Sequence, residues 1–138
     1  MNERHFTPEE VDGLIPRLGE LMELAMDRHC LATALQRQLQ EEQERVRVSG
    51  GGLVDRRDWK ARAERLDGLA IEVRAVIGEI NTLGGTVKDL DLGLVDFPGL
   101  LPEIMGDETI NLCWKHGEPR VRFWHGLNEG YARRKRLP

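Results

Sequence analysis

Between residues 86 and 131 the chain sets acids, a thiol and imidazoles among short apolar runs and glycines: Asp89, Asp91, Asp96, Cys113, His116, Glu118, His125 and Glu129. Asp89 and Asp91 are two apart, so on a strand they share one face. Asp96 follows a glycine turn at Gly93 and can return toward them. Three carboxylates meeting His125 suit a hard divalent cation, which takes oxygen ligands with an occasional imidazole. That set favours Mg²⁺ or Mn²⁺ over Zn²⁺ and would equip a small metal-dependent hydrolase. Against it stands turn chemistry, because aspartate beside glycine is an ordinary turn pair.

Cys113, His116 and His125 are a second candidate set, for zinc. No Cys-x-x-Cys or His-x-x-x-His spacing accompanies them, and zinc normally takes four ligands at short spacing. The facing of the side chains decides further. Thr109–Trp114 and Pro119–Trp124 read as a hairpin reversing at His116-Gly117. A two-residue turn sets Leu112 opposite Val121 and Ile110 opposite Phe123, and those four apolar residues then share a face. In that register Cys113 and His125 fall on opposite faces, which also denies them the contact a Cys–His nucleophile pair needs. Arg120, Arg122 and Trp124 project together, as an anion or partner site or as a cation–π cover on the sheet.

Long helices must carry this block. Thr7-Pro8-Glu9-Glu10 is a helix start, with a capping threonine, proline at the first helical position and a carboxylate placed to reach back. Pro16 lacks the amide proton a helix interior uses, so the spacing predicts a break there and a second helix over 16–48. Leu18, Leu21, Ala25, Ala32, Leu35, Leu39 and Val46 form its seam, with Arg28 and Glu42 in the two skipped positions. Ser49-Gly50-Gly51-Gly52 ends it. Trp59, Ala63, Leu66, Ala70, Val73, Ile77 and Ile80 continue the same spacing over 56–83, beside a second stripe of Leu69, Val76 and Leu83.

After Gly84-Gly85 the pattern changes to that of strands. Thr86–Leu90 and Leu94–Phe97 flank the Asp91-Leu92-Gly93 turn, Pro98-Gly99 ends the second, and a loop covers 100–107. The whole predicts an α+β protein: one domain over 1–138, with a long antiparallel, coiled-coil-like helical hairpin over 7–83, a small antiparallel β-sheet over 86–131 and a basic tail over 132–138. The helical stripes are wider than a two-helix seam covers, so a homodimer forming a four-helix bundle is expected.

The strings Val-Lys-Asp-Leu-Asp-Leu-Gly-Leu-Val-Asp-Phe-Pro (87–98), Leu-Cys-Trp-Lys-His-Gly-Glu-Pro (112–119) and Trp-His (124–125) carry a resemblance. With Phe6–Glu10 and Leu14-Ile15-Pro16, they resemble a bacterial and archaeal family of uncharacterised proteins, domain of unknown function 2203. The resemblance spans most of the chain and implies a small cytoplasmic protein. It brings no activity, substrate, cofactor or functional residue with it.

Composition excludes some classes. Charged residues are 32% and aromatics 5%, a helix-rich balance, and the net charge of −4 argues against a protein that binds nucleic acid or membrane surfaces over its whole face. No apolar run reaches the roughly 20 residues of a membrane span. Two cysteines without a secretory leader fit a reducing cytoplasm. The function expected is a non-enzymatic dimeric binding or scaffold protein with a ligand, ion or partner site in the β block. The alternatives are the hydrolase on Asp89, Asp91, Asp96 and His125, and an accessory factor on RNA or the ribosome held by Arg133–Arg136.

Overall fold

The computed structural model describes residues 4–50 and 55–138. Helix α1 (Pro8–Ser49) begins with the expected capping box: the Glu10 amide donates to Thr7 Oγ1 at 3.1 Å and the Thr7 amide to Glu10 Oε1 at 3.2 Å. The expected break at Pro16 is absent, and α1 runs through it as one helix of 42 residues, about 63 Å at 1.5 Å per residue. Proline inside a helix costs about 3 kcal/mol. Here the side chains on either side of it, Val11, Leu18, Leu21 and Met22, are all buried, and that apolar burial offsets the lost backbone bond. Gly50, with φ of 75°, closes the helix; the rest of the expected glycine turn, Gly51 and Gly52, lies outside the described residues.

Helix α2 (Arg56–Leu83) returns antiparallel to α1. Its direction is written in the ion pairs: Arg17–Glu79 at 3.2 Å, Arg28–Glu72 at 3.0 Å and Glu42–Arg62 at 2.5 Å. Arg28 and Glu42, the two polar residues in the α1 seam, thus both bind across to α2. The apolar seam is fully buried only near the sheet and, on α1, again at Leu39. On α2 the buried residues are Leu69, Val73, Val76 and Ile80, whereas Trp59, Ala63 and Leu66 are half-buried. Gly84, with φ of 108°, ends α2 against the Phe6 ring, where a Cβ would lie 2.3 Å from Phe6 Cζ.

Five antiparallel strands follow in meander order: β1 (Thr86–Asp89), β2 (Leu94–Leu100), β3 (Thr109–Lys115), β4 (Phe123–Gly126) and β5 (Lys135–Arg136). Within the expected 100–107 loop, Pro102–Met105 forms a single turn, α3. Strand β2 continues through Pro98 and Gly99 instead of ending there. Beyond Asp96 it has no β1 neighbour, so Pro98 sits on a locally free edge where its missing N–H costs nothing. Phe6 fills that edge: its amide donates to Pro98 O at 2.8 Å. Gly99 is required by this approach, since a Cβ there would be 2.8 Å from the Phe6 carbonyl oxygen.

The inner face of the sheet, Val95, Phe97, Ile110, Leu112, Trp114 and Trp124, packs on Val11, Leu18, Met22, Val76 and Ile80 of the helices. Among the described residues no helix is long and apolar enough to cross a membrane.

Candidate functional site

The register between β3 and β4 controls which side chains meet, and it differs from the expected one. Leu112 pairs with Trp124, Asn111 with His125 and Cys113 with Phe123. The shift of Leu112's partner from 121 to 124 is an odd number of residues, so every β4 side chain changes face. Its cause lies in the connection. Trp114 Nε1 donates to Glu118 O at 2.9 Å, and the Val121 amide donates to Asp12 Oδ1 of α1 at 2.7 Å. These bonds hold residues 116–122 as a longer loop, and β4 starts only at Phe123. Val121 is still buried, but from the loop rather than from a strand.

Two expectations are corrected by this register. Trp124 does not project with Arg120 and Arg122; it is buried in the core, with the Lys135 ammonium 4.6 Å from its ring centroid. Cys113 and His125 are not on opposite faces. They share the outer face of the sheet with Asp96, which pairs with Cys113 across β2 and β3.

Asp96, Cys113 and His125 are 4%, 1% and 3% exposed, and their donor atoms all lie within 4.8 Å of one another. His125 Nε2 is 3.1 Å from Asp96 Oδ2, and His125 Nδ1 is 2.9 Å from the Gly126 carbonyl oxygen. A carbonyl only accepts, so Nδ1 carries a proton and donates it. Nε2 is therefore the nitrogen turned to the carboxylate. Burial first, then the neighbouring Asp96 carboxylate, pushes the pKa of the Cys113 thiol up to about 12.

The segment after β4 roofs this group. Leu127, Glu129, Gly130 and Tyr131 close over it with Lys88 of β1, leaving a cavity of about 220 Å³ that Asp96, Cys113 and His125 line. Two anchors hold the roof down. Glu129 Oε1 accepts from the Gly126 amide at 2.9 Å and pairs with Lys135, and these partners, Lys135 above all, hold its carboxyl below the usual range. Arg134 stacks 3.9 Å from the Phe123 ring centroid and pairs with Glu118 at 2.7 Å. Glu118 also accepts from the Lys115 backbone amide at 2.7 Å.

The remaining sequence candidates lie elsewhere. Asp89 Oδ1 accepts from the Asp91 and Leu92 amides, each at 2.8 Å, which is the turn chemistry that competes with a metal role. Asp91 has its side chain 85% exposed and reaches His29 at 3.3 Å. Neither belongs to the buried group around Asp96. His116 sits in the β3–β4 connection with its ring edge-on to Trp114. Arg120 and Arg122 line a separate groove of about 530 Å³ with Glu9, Asp12 and Arg136.

A two-residue turn at His116-Gly117 separates Cys113 from His125, and the longer loop brings them together. A signal for the other choice was present. Ile110, Leu112, Trp114 and Trp124 all have even numbers, and placing them on one face requires a register of the same parity as the observed one.

Two long helices with a meander sheet on their base, and a partly roofed polar cluster on the sheet's far side, define an α+β protein with a half-open candidate binding pocket. The chain belongs to the family described as uncharacterized conserved protein (DUF2203), whose model matches residues 4–137. No curated protein and no solved structure matches it.

Proposed function

We propose that the protein is a non-enzymatic binding protein that holds a small ligand or ion in the cavity over Asp96, Cys113 and His125. One observation carries this reading: three polar side chains of different chemistry are buried together beside an unfilled volume. A sheet face that only had to be covered would be cheaper to build from apolar residues, since buried polar groups bring desolvation costs that their pairing at best balances.

The helical hairpin is the assembly arm in this reading, and a second copy completes it. Leu24, Leu31 and Ile71 are exposed on the two helices, and the α2 seam before Leu69 is only half-buried. A second hairpin laid antiparallel would cover those stripes as a four-helix bundle does. The RNA reading finds less support, because Arg134 and Lys135 of the basic tail are engaged by Glu118 and Glu129.

Native mass spectrometry tests the ligand site on untagged protein equilibrated with a small-molecule and metal extract. One adduct per chain is expected, lost in a folded Asp96→Asn, His125→Phe variant. Adducts equal in both proteins, or absent from both, contradict the reading. Light scattering at micromolar concentration tests the assembly, where the mass of one chain contradicts the dimer.

A further inference from the structure

We infer that the ligand of this cavity is a single divalent ion of the zinc class, held by Asp96 Oδ2, Cys113 Sγ and His125 Nε2, with a fourth position open to the cavity. The inference rests on the binding role proposed above and names the chemistry of its ligand.

Donor type is the first argument. One thiol, one imidazole and one carboxylate form a mixed sulfur, nitrogen and oxygen set. Thiolate and imidazole select borderline ions such as Zn²⁺ or Co²⁺, whereas Mg²⁺ and Ca²⁺ require several oxygens. The hard-cation set of Asp89, Asp91 and Asp96 does not assemble, because the first two stay at the β1–β2 turn.

Geometry is the second. Ligand atoms on a tetrahedral zinc with bonds of about 2.0–2.3 Å lie about 3.3–3.8 Å apart. His125 Nε2 and Asp96 Oδ2 are already 3.1 Å apart, and one donor atom from each of Asp96, Cys113 and His125 lies within 4.8 Å of the other two. An ion replacing the proton between imidazole and carboxylate needs shifts of only a few tenths of an ångström to about one ångström.

Orientation is the third. His125 Nδ1–H is tied to the Gly126 carbonyl at 2.9 Å. An imidazole held this way by its far nitrogen presents the other as a ligand, the usual outer support of a metal-binding histidine. Asp96 and Cys113 are adjacent across paired strands, so two ligands come from one hydrogen-bonded ladder at the centre of the sheet.

Three protein ligands plus space for a fourth is the open form of a zinc site. The space here is the roofed cavity lined by Lys88, Glu129 and Tyr131. A water or a small anion fits the fourth position, and Lys88, which lines the cavity, supplies a counter-charge nearby.

The test is titration of the metal-free, full-length protein with Co²⁺ and then Zn²⁺, followed by absorption and equilibrium dialysis. One ion per chain is expected, with the intense thiolate-to-cobalt band and the visible bands of a four-coordinate ion, both abolished by Zn²⁺. Cys113→Ala should lose the thiolate band, and Asp96→Asn and His125→Gln should each weaken binding by more than about 100-fold, beyond the 10- to 100-fold typical of outer supports. His29→Ala, which removes the exposed imidazole beside Asp91, should leave affinity unchanged. Circular dichroism and melting of each variant separate lost binding from lost folding.

Uptake without the thiolate band overturns the inference by putting the ion elsewhere. No uptake at micromolar free metal, with an organic adduct still seen by native mass spectrometry, overturns the inference and leaves the binding role standing. No uptake and no adduct removes both.

Discussion

A polar cluster on the outer face of one small sheet is as hidden from water as the apolar inner face, yet made of different chemistry. The inner face is Val95, Phe97, Ile110, Leu112, Trp114 and Trp124, closed by helices. The outer face carries Asp96, Cys113 and His125 under a short roof held by Glu129 and Arg134. Burial on the inner face removes apolar area from water and stabilises the fold at about 25 cal/mol per Å². Burial on the outer face gains no such energy for its polar groups; they balance one another at best. Equal burial therefore marks two roles: one face folds the chain and the other arranges donors.

The largest effect that separates the faces should come from Trp114, the largest of the fully buried side chains. Trp114→Ala removes its ring from the core and should cost about 3–5 kcal/mol in a urea unfolding curve. A loss below about 1 kcal/mol would break the assignment of the inner face as the stabilising one.

Next is the outer pair broken from one side. His125→Leu leaves the Asp96 carboxylate buried without its partner and should cost about 3 kcal/mol. Replacing both, as Asp96→Leu with His125→Phe, should recover stability to within about 1 kcal/mol of the parent or exceed it. If the double variant is as unstable as the single one, the outer face stabilises the fold after all.

The thiols sharpen the contrast without mutation. Cys30 is exposed and Cys113 is buried. A raised thiol pKa favours the protonated form, so Cys113 stays a thiol throughout the neutral range and yields thiolate only as pH approaches about 12. Iodoacetamide at neutral pH should give one adduct, at Cys30, by peptide mass spectrometry. Alkylation of both at equal rates would mean the roof does not close the cavity. The smallest effect should come from Glu129→Ala, which unties the roof from the Gly126 amide. Hydrogen exchange of that amide should quicken while the melting temperature stays unchanged.

Legibility in the sequence divides along the same line. The helical seams were readable because period and caps are local: Thr7 with Glu10, Leu18 with Leu21 and Ala25, Gly84 at the close. The inner face was readable in part, since Ile110 and Leu112 lie on it as expected, whereas Val121 is buried from the loop and Phe123 falls on the outer face opposite Cys113. The cluster was not, because strand register depends on the length of the 116–122 loop. That length is set by Val121 bonding to Asp12, a residue 109 positions away on α1. A short-range turn signal cannot contain such a contact. The unbroken passage of α1 through Pro16 has a similar origin, since core burial on both sides outweighs a local penalty.

Zinc-edge X-ray absorption on the protein with one equivalent of Zn²⁺ tests the role of the outer face most directly. The account predicts one sulfur at about 2.3 Å together with nitrogen and oxygen at about 2.0–2.2 Å. A first shell of nitrogen and oxygen alone would place the ion away from Cys113 and contradict it.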